Sequence, residues 1–186
     1  MDPPGYQIVV ADPPWRYEQS HMRPLPYPTL SIDEMKDMGP LTDKNALLFM
    51  WTTGPQMDDS LQLMHEWGFQ YVTVVFVWVK ETKKAEPFMG MGVYTRSNCE
   101  FVILGRKGKG VSNWVKDHSI MQIIRAPRRE HSRKPDEFFE ALDKLLVPDL
   151  KKLEMFSRQR RPGWDATGND VDHFDPITAA APMTVD

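Results

Sequence analysis

The stretch VVADPPWRY, residues 9–17, drives an apolar run straight into Asp12, Pro13, Pro14 and Trp15. A strand cannot continue through two prolines, because neither has an N–H for the ladder and each fixes its own φ. The chain therefore ends a core strand by presenting a carboxylate, two rigid carbonyls and an indole. That set suits a planar ring bearing an exocyclic amine, such as adenine. The nitrogen of such an amine is a poor nucleophile, since its lone pair is delocalised into the ring. Two acceptors on its two N–H bonds would draw the nitrogen toward tetrahedral geometry and localise the pair. Asp12 offers a carboxylate oxygen and Pro13 its carbonyl. The prolines hold that carbonyl without entropy cost on binding, and Trp15 with Tyr17 can stack on the base. A strong electrophile such as a sulfonium methyl group then needs no prior proton loss, so transfer is direct, with no covalent enzyme intermediate. On spacing alone, an ordinary Asp-Pro-Pro turn with Trp15 capping the core remains the alternative.

The elements that must position these groups follow from periodicity. Apolar or β-branched runs at 6–12, 46–51, 71–80, 98–108, 119–126 and 151–158 read as strands, the run at 71–80 as a central strand covered on both faces. Ser31 and Glu34 form a capping box that opens a short helix over 31–39. Met57, Leu61, Met64 and Trp67 mark a helix over 55–68 that stops at Gly68. Pro135 and the acids after it open another over 134–146. Strands alternating with helices predict an α/β fold, a mostly parallel central sheet with helices on both faces. Ligands of such sheets sit beyond the C-terminal strand ends, where Asp12, Trp51, Lys80 and Arg158 fall. The expected organisation is one domain over 1–174, with a small, polar, disordered tail over 175–186.

Composition narrows the classes. The 186 residues are 41% hydrophobic and 26% charged, with a formal charge of −3, so nucleic-acid binding would need local basic patches. Cys99 is the single cysteine, which excludes an internal disulfide and a cysteine-based metal site. The histidines lack ligand spacing, so no metal is expected. No apolar run reaches membrane-spanning length and MDPPGYQIVV has no basic n-region, which points to the cytoplasm. No G-x-G-x-x-G occurs, so a dinucleotide reading has no phosphate loop.

Four stretches in order carry a family resemblance: ADPPW (11–15), YPTLSIDEM (27–35), LLFMWTTGPQM with EWGF and VWVK (47–80), and HSRKPDEFFE with LEMFSR and GWDATGND (131–170). Over residues 8–170 the chain resembles the MT-A70 family of S-adenosylmethionine-dependent adenine-N6 methyltransferases. The resemblance implies a Rossmann-like methyltransferase fold, S-adenosylmethionine as cofactor, and catalytic roles for Asp12, Pro13, Pro14 and Trp15. It implies cofactor contacts from Lys134, Ser132, Phe156, Arg158, Asn169 and Asp170, with the Lys134 cation on the methionine carboxylate and Asp170 on the ribose hydroxyls. Lys134 lies at the positive end of a helix, a poor place for a cation unless an anion is bound. Two departures stand out. Ser157 occupies the place of a usual glycine after Phe156, and the chain starts almost at DPPW, so an upstream strand that cradles the cofactor in larger relatives is expected to be absent or replaced by a partner chain.

Three basic loops fall on the ligand side: RKGKG (106–110), RAPRREHSRK (125–134) and RQRRPGW (158–164). They predict phosphate contacts from Arg128, Arg129, Arg160 and Arg161. EPFMGMGVYTRSN (86–98) reads as a lid or target-strand loop with Tyr94 and Arg96 as contacts, and Tyr17 completes the substrate set. Small size and the absence of CCCH-type fingers favour DNA as partner, with RNA second; a duplex would require base flipping. A non-catalytic nucleic-acid-binding subunit with the same fold, and a homodimer sharing pockets, are the rival readings.

Overall fold

The computed structural model describes residues 5–16 and 28–178. Seven strands form one sheet in the order β5-β3-β4-β2-β1-β6-β7. They are β1 (Tyr6–Ala11), β2 (Thr42–Thr52), β3 (Gln70–Glu81), β4 (Cys99–Lys107), β5 (Ile123–Pro127), β6 (Lys152–Met155) and β7 (Asp165–Thr167). The helices are α1 (Ile32–Lys36), α2 (Met57–Glu66) and α3 (Asp136–Leu145). β1 pairs in parallel with β2 and β6, β6 with β7, and β3 with β5. Within this sheet only β4 runs against its neighbours, between β2 and β3. The expected mostly parallel α/β architecture is what the chain adopts.

Alternation along the strands splits the core in two. Ile8, Val10, Leu47, Phe49 and Trp51 face the side covered by α3, where they meet Phe138, Phe139 and Leu142. Val9, Ala11, Leu48 and Met50 face the other side, with Met35 of α1 and Leu63 and Met64 of α2. A strand covered on both faces must be apolar at every position, which is why residues 8–11 read as an unbroken run. Gly105 of β4 lets α2 lie close, since a Cβ there would sit 2.9 Å from the Met64 sulfur.

The structure departs from the expected elements in places. The strand read over 71–80 is covered on both faces only in its second half; Tyr71 and Val72 are exposed, because the short β5 pairs only from Val77 onward. The helix read over 55–68 begins as a 3-10 turn at Gly54–Gln56. The helix at Ser31 has the expected capping box but ends at Lys36. β5 begins at Ile123 rather than 119, and β7 was not expected, since three residues of DAT carry no readable period. Past Phe174, the Ile177 N–H donates to the Arg160 carbonyl at 3.0 Å. The rest of the expected tail, residues 179–186, lies outside the described residues, as does Tyr17.

Candidate active site

Four charged side chains converge where the parallel strands end. Asp12 follows β1 directly, and Lys80 is the penultimate residue of β3. Glu100 is the second residue of β4, which starts at this end because it runs in reverse. Lys134 lies just before α3. The Lys134 ammonium bridges Asp12 Oδ1 and Glu100 Oε2, each at 3.0 Å, and Lys80 Nζ holds Glu100 Oε1 at 2.5 Å. Lys134 Nζ also lies 5.3 Å from the Trp51 ring centroid. The anion that the helix-end position of Lys134 called for is thus supplied first by the protein's own carboxylates.

Burial and charge set the protonation of this row. Burial pushes the Asp12 carboxyl up, and Glu100 adds to that, while Lys134 pulls it down. Burial also works against the Glu100 charge, but Lys134 and Lys80 outweigh it and hold that carboxyl at about 2. Lys134 is raised despite its burial, by the two carboxylates it touches. On balance the Asp12 carboxyl lies above its ordinary value, and one of its oxygens is spent on the Lys134 ammonium.

The tip itself has an internal order. The Asp12 N–H reaches the Met155 carbonyl at 3.4 Å, at the end of the β1–β6 ladder. The Pro13 carbonyl already accepts from the Trp15 N–H at 2.9 Å, and that of Pro14 accepts from Leu30 N–H at 2.9 Å. A carbonyl has two lone pairs, so Pro13 retains one for a ligand. Trp15 corrects the sequence reading: it is buried in the core beside Val9, Ala11 and Met35, and its ring cannot stack on a base. The apolar environment under the tip claims the indole, which fixes the turn from below.

Beside Asp12 a cleft of about 330 Å³, its open mouth included, is lined by Ser132, Lys134, Phe156, Arg158 and Phe174 among others. The space open to water-sized occupants within it is only about 30 Å³, well below that of a ligand pocket. Ser132 and Phe156 have left-handed backbones, φ +65° and +57°. Such strain in non-glycine residues clusters at functional sites. Arg158 donates to the His131 carbonyl at 3.2 Å and to Asp170 at 3.3 Å. Asp170 also takes His173 Nδ1 at 2.8 Å; it and Asn169 are exposed and stand outside the lining of the cleft. Asn169 follows Gly168, whose missing Cβ would fall 2.5 Å from the Ser157 carbonyl oxygen. Glu154 closes the floor of the cleft. Burial lifts it to about 7 against the pull of Arg161, whose Nε stands 3.4 Å away. The side chains around the cleft offer carboxylates, two cations, polar groups and the Phe156 ring, chemistry that suits a zwitterionic, nucleoside-bearing sulfonium once the cleft widens to admit it.

The basic residues separate into two kinds. Arg161 is 7% exposed, lies 3.7 Å from the Phe139 ring centroid and donates to Asp136 at 2.9 Å. Arg129 bonds the same carboxylate at 2.6 Å and the Lys134 carbonyl at 2.7 Å. Both expectations of a free phosphate-binding cation are corrected here. These two guanidiniums pin the start of α3 and the segment that carries Lys134. Arg160 stays at the surface, paired with Asp172 at 2.7 Å. Arg128 is exposed and stacks on Phe88 at 4.4 Å, and Tyr94 and Arg96 lie exposed in the β3–β4 connection. Glu100 and Glu154 were missed in the sequence. The available signal was one acid among the apolar residues of each strand, in NCEFVILG and KLEMF.

An α/β sheet with a carboxylate-proline tip beside a narrow polar cleft defines a methyltransferase-like protein. The chain belongs to the MT-A70 family, which it matches over residues 6–170. It is 34% identical to the type II methyltransferase M.MunI of Mycoplasma sp, over 89% of this chain and 78% of that protein. It is 33% identical to an N(6)-adenosine-methyltransferase MT-A70-like protein of Arabidopsis thaliana and 31% identical to the human N(6)-adenosine-methyltransferase catalytic subunit METTL3. Those matches cover 89% and 90% of this chain but 24% and 28% of the plant and human proteins, so the chain spans about a quarter of their length. No helix among the described residues is long and apolar enough to cross a membrane.

Proposed function

We propose that this chain transfers a methyl group from S-adenosylmethionine to the exocyclic N6 of adenine in DNA, acting in the cytoplasm. When bound, the cofactor supplies an electrophilic sulfonium methyl. The remaining Asp12 oxygen and the free lone pair of the Pro13 carbonyl accept the two amine N–H bonds and turn the nitrogen lone pair toward the incoming carbon. The proton leaves the amine only after the new C–N bond forms, with Asp12 its first acceptor. Lys134 opposes the effect of burial on Asp12 and aligns its carboxylate, and Glu100 with Lys80 holds Lys134. Ser132, Lys134, Phe156 and Arg158, which line the cleft, hold the cofactor, and Asn169 and Asp170 reach it from outside that lining. Arg96, Arg128, Arg160 and Tyr94 meet the nucleic acid, and Tyr17 is proposed with them. The observation that carries the reading is the Asp12–Lys134 contact at 3.0 Å, which brings the carboxylate tip into the wall of the cleft.

The test incubates the chain with methyl-labelled cofactor and matched pools of double-stranded DNA, single-stranded DNA and RNA, then identifies the modified nucleoside. N6-methyladenine in DNA is the expected product. Label in RNA alone would move the substrate, and no transfer together with no cofactor binding by calorimetry would favour a non-catalytic partner subunit.

A further inference from the structure

The cleft beside Asp12 is walled mostly by well-fixed parts of the molecule. Glu154 lies in the β1–β6 ladder, and Asp12 and Phe156 directly follow its two strands. Arg161 is locked between Asp136 and the Phe139 ring. The segment from Ser132 to Lys134 is tied down by Arg129 on the Lys134 carbonyl and by Arg158 on that of His131. One wall is different. Phe174 reaches the cleft from residues 172–177, which belong to no helix or strand.

This segment is a strap laid along residues 158–160. The Phe174 N–H donates to the Arg158 carbonyl and the Ile177 N–H to the Arg160 carbonyl, each at 3.0 Å, and the Gln159 side-chain amide donates to the Asp175 carbonyl. Asp172 pairs with Arg160 at the surface. Phe174 and Ile177 are half-buried, and the other four residues of the strap are exposed. An irregular segment with so few buried contacts opens at low cost. Its ring nevertheless holds a decisive place. The guanidinium carbons of Arg133 and Arg158 lie 4.9 and 5.1 Å from its centroid, and both arginines line the cleft. The ring thus covers the cations that an anionic, ring-bearing ligand would seek. With it in place the cleft keeps about 30 Å³ of open space, room for about one water, where ligand pockets offer about 300–1,000 Å³.

We propose that residues 172–177 are an autoinhibitory strap with the Phe174 ring as its plug, and that S-adenosylmethionine enters the cleft only when the strap lifts. The inference rests on the reading of this cleft as the cofactor's place and adds what controls entry to it. The fixed walls leave the strap as the element that yields. Affinity for the cofactor is then lowered by the fraction of time the strap stands open, and a chain without the plug escapes that penalty.

The test titrates S-adenosylmethionine by calorimetry into the unaltered chain and into Phe174→Ala. Hydrogen exchange of the peptide holding Phe174 and Ile177 is followed in the unaltered chain with and without the cofactor. The variant is expected to bind about tenfold more tightly. Saturating cofactor is expected to speed exchange at Phe174 and Ile177, whose N–H groups lose the Arg158 and Arg160 carbonyls. The exchange measurement needs no variant, so it decides alone if Phe174→Ala does not fold. Equal or weaker binding by the variant, or exchange that slows or stays the same on cofactor binding, makes Phe174 a wall that remains with the ligand; either result overturns the plug while leaving the methylation reading intact. Failure of both chains to bind S-adenosylmethionine overturns both.

Discussion

Cations crowd one end of this sheet in two populations, and they do different work. Lys80, Lys134 and Arg161 turn inward, at 19, 13 and 7% side-chain exposure, and each meets carboxylates. Arg125 and Arg160 turn outward, at 65 and 55%, with loose or solvent-facing pairs. An exposed pair contributes about 0–1 kcal/mol, whereas removing one member of a buried pair costs about 3–5 kcal/mol, because the other is left charged and dry. The inward set is therefore part of the fold and of Asp12's electrostatics, and the outward set is available to a polyanion. Arg160 and Arg161 are adjacent and chemically identical; the Phe139 ring and the Asp136 carboxylate decide which is which.

Breaking the inward set has the largest expected effects. Lys134→Met leaves Asp12 and Glu100 facing each other, and a loss of about 3–5 kcal/mol in denaturant unfolding is expected. Any residual methyl transfer should have its acid limb at higher pH, because the cation that lowers Asp12 is gone. Asp12→Asn keeps the shape but swaps an acceptor for a donor; kcat should fall by about 10²–10³ while calorimetry still detects the cofactor. A rate within twofold of the unaltered chain would remove Asp12 from the chemistry.

Arg161→Ala sharpens the contrast. It strips Asp136 and Glu154 of a buried partner and should cost about 3 kcal/mol. Glu154→Gln tests the same pair through pH. The unfolded carboxyl ionises near 4.5, the folded one near 7. Between those values the unfolded state has released a proton that the folded state keeps, so stability falls as pH rises across the window. The glutamine variant should melt a few degrees higher at pH 8 and match the unaltered chain near pH 4. Arg160→Ala, by contrast, should leave the melting midpoint where it is. It should lower nucleic-acid affinity evenly across sequences and reduce the slope of log K against log salt by about one. An Arg160 variant that unfolds, or an Arg161 variant that changes only the salt slope, would erase the distinction between the two populations.

Much of the frame was legible because two-sided burial writes itself as unbroken apolar runs. Residues 6–11, the capping box at Ser31 and the amphipathic segment of α3 all lie where periodicity put them. The strand-end rule also located Asp12, Lys80 and Arg158 together. Side-chain direction was not legible. Trp15 could serve the base or the core, and only the packed side of α1 and α2 shows that it serves the core. The cations of RAPRREHSRK looked alike in one dimension, yet Arg129 faces Asp136 and Arg128 faces Phe88. Glu100 escaped notice because its partners, 20 and 34 positions away, lie near only across strands.

The reversal of β4 has one more consequence. In a wholly parallel sheet, every chain arriving at the mouth is an outgoing one, and each connection must travel back over a face through a helix. Here one chain comes out and the next goes in at the same rim, so what joins them needs no helix crossing a face and is held only near the strand ends, by Lys80 and by Arg128 on Phe88. Residues 82–98 accordingly tie into the sheet only at its rim, through the bonds of Lys80 with Phe88 and Asn98, so changes in the middle of that segment leave the ladders beneath it intact.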